Sequence, residues 1–273
     1  MKQKEMKKDN VMSYIYETHL HTVESSACGK SHGADYLKAY QDLGFSGIIV
    51  TDHFFNGNCA VPAGLPWKDR VELFCRGYEL AKEAGDKINF PVFFGWEDCF
   101  EKDEYLVYGL DKQWLLEHPD MLTWDQKRHY EEIHKDGGLV IQAHPFRERD
   151  YITNINLHPY QCDGWEIANA CNPVSTNYPA FEYAKRHHMM VTAGSDIHLV
   201  NQALHKECFG VSFDEPLQSI QDFVAFMKAG KGTVYLPEDI FAGEPFPEQA
   251  GLPIRLFNEK NEYHNVTMKD LFS

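Results

Sequence analysis

Five short segments of this chain end in residues that bind metals well. His19 and His21 lie two apart in SYIYETHLH (13–21). In an extended strand both would face one side, with Leu20 on the other. Asp196 and His198 repeat that spacing at the end of MMVTAGSDIH (189–198). His53 closes GIIVTDH (47–53), Glu97 follows VFFGW, and His144 follows LVIQA. A single strand-end histidine is more often a satisfied polar residue than a ligand. HxH and DxH are each weak signals. Together with TDH, GWE and AHP in the same register they form a strong one. Mixed imidazole and carboxylate donors suit zinc, manganese or iron, and do not favour calcium or magnesium alone.

These residues need a frame that brings strand ends together. Short apolar runs alternate with segments of helical period along the chain. In GADYLKAYQDLG (33–44), Tyr36, Leu37, Tyr40 and Leu43 share one helical face, and Gly44 is the expected stop. In 71–84, Val71, Phe74, Tyr78 and Ala81 are spaced by three and four, with Gly85 after them. Strands are expected at 89–98, 105–110, 138–145, 164–170, 189–198, 208–213 and 233–237. Helices are expected near 123–136, 179–188 and 216–229. Such alternation predicts a parallel sheet, open or closed into a barrel. In either form the C-terminal strand ends converge on one mouth, where these folds keep their sites.

Bulk properties narrow the classes. A chain of 273 residues with 43% hydrophobic content can bury one large core. The polar start, MKQKEMKKDN, has no apolar stretch behind it, and no run is long enough to span a bilayer. Seven scattered cysteines without a CxxC pair read as reduced thiols in the cytoplasm. The net charge of −15 opposes the basic footprint of a nucleic-acid binder and favours a small substrate. Residues 1–10 are expected to be disordered, 11–237 to form the main domain, and 238–273 to trail over its surface as a C-terminal extension.

The motifs HLHT (19–22), TDH (51–53), GWE (95–97), AHP (143–145) and GSDIH (194–198) span about 180 residues. In this order the set resembles the PHP (polymerase and histidinol phosphatase) family of metal-dependent phosphoesterases. The resemblance implies an α/β fold, a single-domain distorted (β/α)7 TIM-like barrel. It implies a cluster of two to three divalent ions (zinc, manganese or iron) held by His19, His21, His53, Glu97, His144, Asp196 and His198. It further implies that Glu97 bridges two of them. Two positions depart from the common pattern. Ser26 and Ala27 stand where many members carry Asp or His. EYLVYG (104–109) lacks the histidine that many carry after the bridging Glu. Glu24, Glu104 and Cys28 are open as replacements.

The expected chemistry is hydrolysis of a small phosphate ester by metal-activated hydroxide, with catalytic work assigned to Glu97, Asp196 and Arg147. Arg147, three residues after His144, is the candidate for the substrate phosphate, because a guanidinium matches phosphate oxygens with paired hydrogen bonds. Its competing role is a surface pair with Glu148 or Asp150. Ser195 lacks a nucleophile elbow. Cys28 lacks the phosphate cradle of a thiol phosphatase. Three rival functions stand beside this one. An amidohydrolase would use similar metals but wants a barrel lysine to carbamylate. A proofreading nuclease is opposed by the acidic balance. A non-catalytic metal-binding module would have little use for so full a ligand set.

Overall fold

Nine strands curl into a nearly closed barrel, and the way each strand runs decides which of its ends reaches the mouth. The computed structural model describes residues 13–205, 208–243 and 245–273. The ten N-terminal residues expected to be disordered lie outside the described residues. The first half of the chain contains β1 (Tyr14–Glu17), α1 (Tyr36–Asp42), β2 (Gly47–Val50), α2 (Trp67–Phe74) and α3 (Arg76–Ile88). Then come β3 (Val92–Phe100), β4 (Asp103–Tyr108), α4 (Lys112–Glu117), α5 (Gln126–Lys135) and β5 (Leu139–Gln142). The second half adds β6 (Ile155–Leu157), β7 (Gly164–Asn169), α6 (Val174–His187), β8 (Met190–Gly194) and α7 (Val200–His205). Last are β9 (Gly210–Phe213), α8 (Ile220–Lys228), β10 (Thr233–Tyr235), β11 (Ile254–Phe257), β12 (Tyr263–Val266) and α9 (Met268–Phe272).

The main sheet runs β10-β9-β1-β2-β3-β4-β5-β7-β8. A parallel bridge between Leu20 and Ile197 draws the two halves of the sheet together beyond the ends of β1 and β8. A distorted TIM-like barrel is therefore present. Its distortion lies in β4 and β9. β4 is antiparallel to both β3 and β5, and β9 is antiparallel to β1. The β3–β4 hairpin turns at Glu101 and Lys102, whose φ values are 50° and 83°. Paired positive φ values normally draw Asn or Gly, so this turn carries no sequence signal. A parallel reading of 89–98 and 105–110 is corrected accordingly.

Helix ends and faces follow the sequence closely but not everywhere. Gly44 stops α1 at a φ of 84°. Leu43, placed on one helical face with Tyr36, Leu37 and Tyr40, is the C-cap of that helix and is exposed. α3 continues through Gly85 and stops at Asn89, which takes the left-handed conformation at φ 53°. Gly85 is needed for contact instead: a Cβ there would lie 2.4 Å from the Phe90 carbonyl oxygen. α6 begins at Val174, earlier than expected, with Pro179 inside it.

Residues 238–273 are more ordered than their weak period implied. β11 pairs in parallel with β6 and antiparallel with β12 to make a second, three-stranded sheet. Ile254, Met268 and Leu271 bury into the same cluster as Phe146 and Trp165. Phe54, in the same cluster, is wholly buried, and Phe55 and Trp67 pack against it. These aromatics belong to the core, where each full burial contributes roughly 1.5–3 kcal/mol.

Candidate metal centre

All seven residues picked out as ligands meet at one end of the barrel. His19 and His21 lie just past β1, and their Nε2 atoms are 3.1 Å apart. His19 Nε2 is 3.2 Å from Glu97 Oε1 and 3.5 Å from Asp196 Oδ1. His21 Nε2 is 3.5 Å from Glu97 Oε2 and 3.1 Å from Asp196 Oδ1. Glu97, from the middle of β3, also reaches His53 Nδ1 at 2.7 Å and His144 Nε2 at 3.5 Å. His198 stacks on His21 with centroids 4.5 Å apart, and His53 stacks on the same ring at 4.3 Å. Four groups of side chains here could hold an ion: His21–His53–His198, His19–His144–Asp196, His19–His21–Glu97 and His53–Glu97–Glu104.

A ring of buried groups fixes the direction in which each ligand points. Glu166 on β7 accepts from His19 Nδ1 at 2.9 Å, leaving Nε2 free to face the cluster. The same carboxylate accepts from the His144 backbone N–H and from Asn169 Nδ2. His198 Nδ1 donates to the Asp196 carbonyl oxygen at 2.8 Å, which again leaves its Nε2 free. Glu17 Oε1 accepts from the backbone N–H groups of Thr18, His19 and Ser195, each at 2.9 Å, and Glu17 Oε2 accepts from the Tyr40 hydroxyl. It thereby ties the ends of β1 and β8 together. Ser195 Oγ accepts from the Phe209 backbone N–H at 3.0 Å. Asp52 accepts from Thr22 and Ser26, and burial pushes its carboxyl up to about 6. His144 and Asp196 hold positive φ values of 32° and 52°. Left-handed backbone in residues other than glycine costs of order 1–3 kcal/mol and clusters at functional sites.

The electrostatics call for positive charge. Burial works against a charged His19, but Glu166, Asp196 and Glu97 outweigh it and hold its pKa well above the ordinary value. Burial likewise opposes ionisation of Glu97, yet His19 and His53 hold it well below the carboxylate range. Burial, with His53 and His198 nearby, pushes His21 well down. Glu97 Oε1 and Oε2 and His53 Nδ1 are buried without a hydrogen-bond partner. Unpaired polar atoms of this kind are costly unless something fills the space between them. The donor set fits divalent transition metals.

The two departures resolve differently. Ser26 Oγ is committed: it donates to Asp52 at 2.6 Å and accepts from the His53 N–H at 3.0 Å. Glu24 turns away to pair with His32. Cys28 faces His198 and His53; burial raises its thiol pKa, but hydrogen bonds from those imidazoles more than offset this and bring it to about 6. Glu104 reaches the mouth because β4 starts there, 3.4 Å from His144 Nε2. A search confined to the C-terminal ends of parallel strands could not find it. Arg147 pairs with Glu104, not with Glu148 or Asp150, and its Nη1 lies 3.5 Å from His144 Nε2. Glu17 and Glu166 were also missed. Their one signal was a carboxylate inside an apolar strand, Glu17 being in the same alternation as His19 and His21.

No family model matches this chain, and no curated protein matches it in sequence. Its fold does match solved structures. A two-domain protein from Bacteroides vulgatus, containing a predicted PHP-like metal-dependent phosphoesterase, superposes with a TM-score of 0.56 at 17% identity. The match covers 82% of this chain and 65% of that one, so this chain spans just under two thirds of its length. This chain shares the fold of that structure. PsfC from Pseudomonas syringae superposes with a TM-score of 0.50 at 15% identity, over 84% of this chain and 93% of that one. An amidohydrolase from Chromobacterium violaceum, with bound sulfate and no metal, gives 0.49 at 13% identity, over 82% and 98%.

Proposed function

We propose that this chain is a PHP-family, metal-dependent phosphoesterase that hydrolyses a small phosphate ester. The observation that carries this reading is the cluster of five imidazoles and three carboxylates, in which both Glu97 oxygens and His53 Nδ1 are buried without a hydrogen-bond partner. In this reading His19, His21, Glu97 and Asp196 hold one ion and Glu97 and His144 share a second. His53 and His198 hold a third, weaker one. Ser26 and Ala27 give that third ion no ligand, and Cys28 is the side chain of the loop nearest to it. Zinc, manganese or iron held by these residues would supply Lewis acidity toward water and the phosphoryl oxygen.

The protein's own groups do the rest. Glu166 and the Asp196 carbonyl hold His19 and His198 in the tautomers that present Nε2. Arg147, nearly buried, keeps guanidinium N–H groups beyond its pair with Glu104, and these orient the phosphate. A small phosphorylated substrate, not a nucleic-acid polymer, suits the net charge of −15. Among the described residues no helix is long and apolar enough to cross a membrane. All seven cysteines are free, which supports a cytoplasmic placement. The amidohydrolase reading has less support, because no lysine is buried among the described residues for carbamylation.

A phosphate-release screen over a metabolite library, with manganese, zinc and iron added separately, tests the reading. Turnover of at least one phosphomonoester should appear. Arg147→Ala should raise KM about 10- to 100-fold, as expected for a lost charge-assisted contact of roughly 1.5–3 kcal/mol. Hydrolysis of amides without any phosphate release would overturn it.

A further inference from the structure

Glu104 occupies a position that its pair with Arg147 does not explain. β4 runs against β3, so Glu104 enters the mouth opposite Cys99, two residues along from Glu97. Its Oε2 lies 3.4 Å from His144 Nε2, and its Oε1 lies 4.0 Å from His53 Nδ1. Glu97 spans the same two imidazoles, at 3.5 Å from His144 and 2.7 Å from His53. The two carboxylates thus lie side by side between the same pair of rings. Glu104 is 9% exposed and Glu97 1%. Both oxygens of Glu97 and Nδ1 of His53 are buried and, despite their close approach, make no well-formed hydrogen bond. A residue needed only to neutralise Arg147 would not have to present its second oxygen toward His53.

We propose that Glu104 is a metal ligand that joins Glu97 at the ion held by His144 and turns its second oxygen toward the ion held at His53. Arg147, besides facing the phosphate, clamps one oxygen of Glu104 so that the carboxylate stays turned into the cluster. A second carboxylate between two ions hardens the site. Anionic oxygen donors suit manganese and iron(II) better than imidazole-rich sets do, while added imidazole favours zinc. The doubled carboxylate therefore sets the preference of this centre toward the harder ions.

The inference rests on the metal centre proposed above, so its test reads metal binding and not hydrolysis. Metal-free wild type, Glu104→Gln and Glu104→His are titrated calorimetrically with manganese and with zinc, and each is checked by its thermal transition. Wild type should take up at least two manganese ions. Glu104→Gln should lose one of them or bind it about 10- to 100-fold more weakly. Glu104→His should keep the count and shift the preference toward zinc by about tenfold or more. Should Glu104→Gln fail to fold, the preference of Glu104→His decides alone. A Glu104→Gln protein that folds and binds manganese as wild type does would overturn the inference and leave Glu104 as the counter-ion of Arg147. So would an unshifted preference in Glu104→His. Wild type that binds less than one ion would instead overturn the metal centre itself, and the inference with it.

Discussion

The two ends of the barrel are built on opposite terms. The end where β1, β2 and β3 begin opens into a cleft of about 1150 Å³, lined by Tyr14, Tyr16, Tyr78, Phe93 and Leu217. Its charges are settled among themselves: Lys112 pairs with Glu72 and Glu79, and Lys82 with Asp86. The other end has little open space, yet it gathers buried or nearly buried titratable groups, among which His53, Glu97, Glu104 and Arg147 each keep a polar atom without a hydrogen-bond partner. Volume is cheap to make at the foot of a barrel where side chains splay. An unsatisfied buried carboxylate is expensive and persists only where something selects for it. The mouth, not the larger cleft, is therefore the candidate site.

The strongest way to break this contrast is to remove the residue on which the mouth converges. Glu97→Ala should lower kcat/KM by about 10³-fold, or about 4 kcal/mol, together with a loss of bound metal. Full activity in a folded variant would show that the cluster is structural. Next comes the support from β7. Glu166→Gln leaves the space filled but weakens the hold on His19 Nδ1, so metal affinity should fall about 10- to 100-fold. Equal affinity by titration would remove Glu166 from the account.

Thiol chemistry sharpens the contrast on a smaller scale. In metal-free protein, Cys28 at about 6 is largely thiolate at pH 7, while burial pushes Cys75 up to about 12. The thiolate is the reactive form. Alkylation mapped by mass spectrometry should therefore mark Cys28 and spare Cys75. The rate at Cys28 should rise with pH and level off above its pKa near 6. A midpoint near the ordinary thiol value of about 8.5 would mean that His53 and His198 do not act on it. The smallest effect is expected at the far end. Lys112→Ala should leave metal content and turnover unchanged and move Tm by no more than about 3 °C, since its partners are partly exposed. A large loss of activity there would blur the distinction between the two ends.

Much of the mouth was legible in the sequence because ligands on a strand leave a period-two record. His19, His21, Asp196 and His198 could be placed on common faces, and each strand end could be read from the apolar run before it. The parts that escaped were those with no local signature. The turn at Glu101 and Lys102 adopts positive φ without Gly or Asn, so β4 read as one more parallel strand. That single reversal hid Glu104 and the partner of Arg147. Glu17 and Glu166 lie among apolar neighbours and become recognisable only when β7 and β8 close against β1. The extension after Pro237 hid its strands because β11 pairs with β6, nearly 100 residues away, and not with a sequence neighbour.

Elemental analysis of the chain purified without chelator tests the central claim most directly. At least two equivalents of manganese, iron or zinc per chain should be present, and they should fall away in Glu97→Ala but not in Lys112→Ala. Less than half an equivalent in wild type, even after reloading with each metal in turn, would contradict the assignment of the mouth as a metal centre.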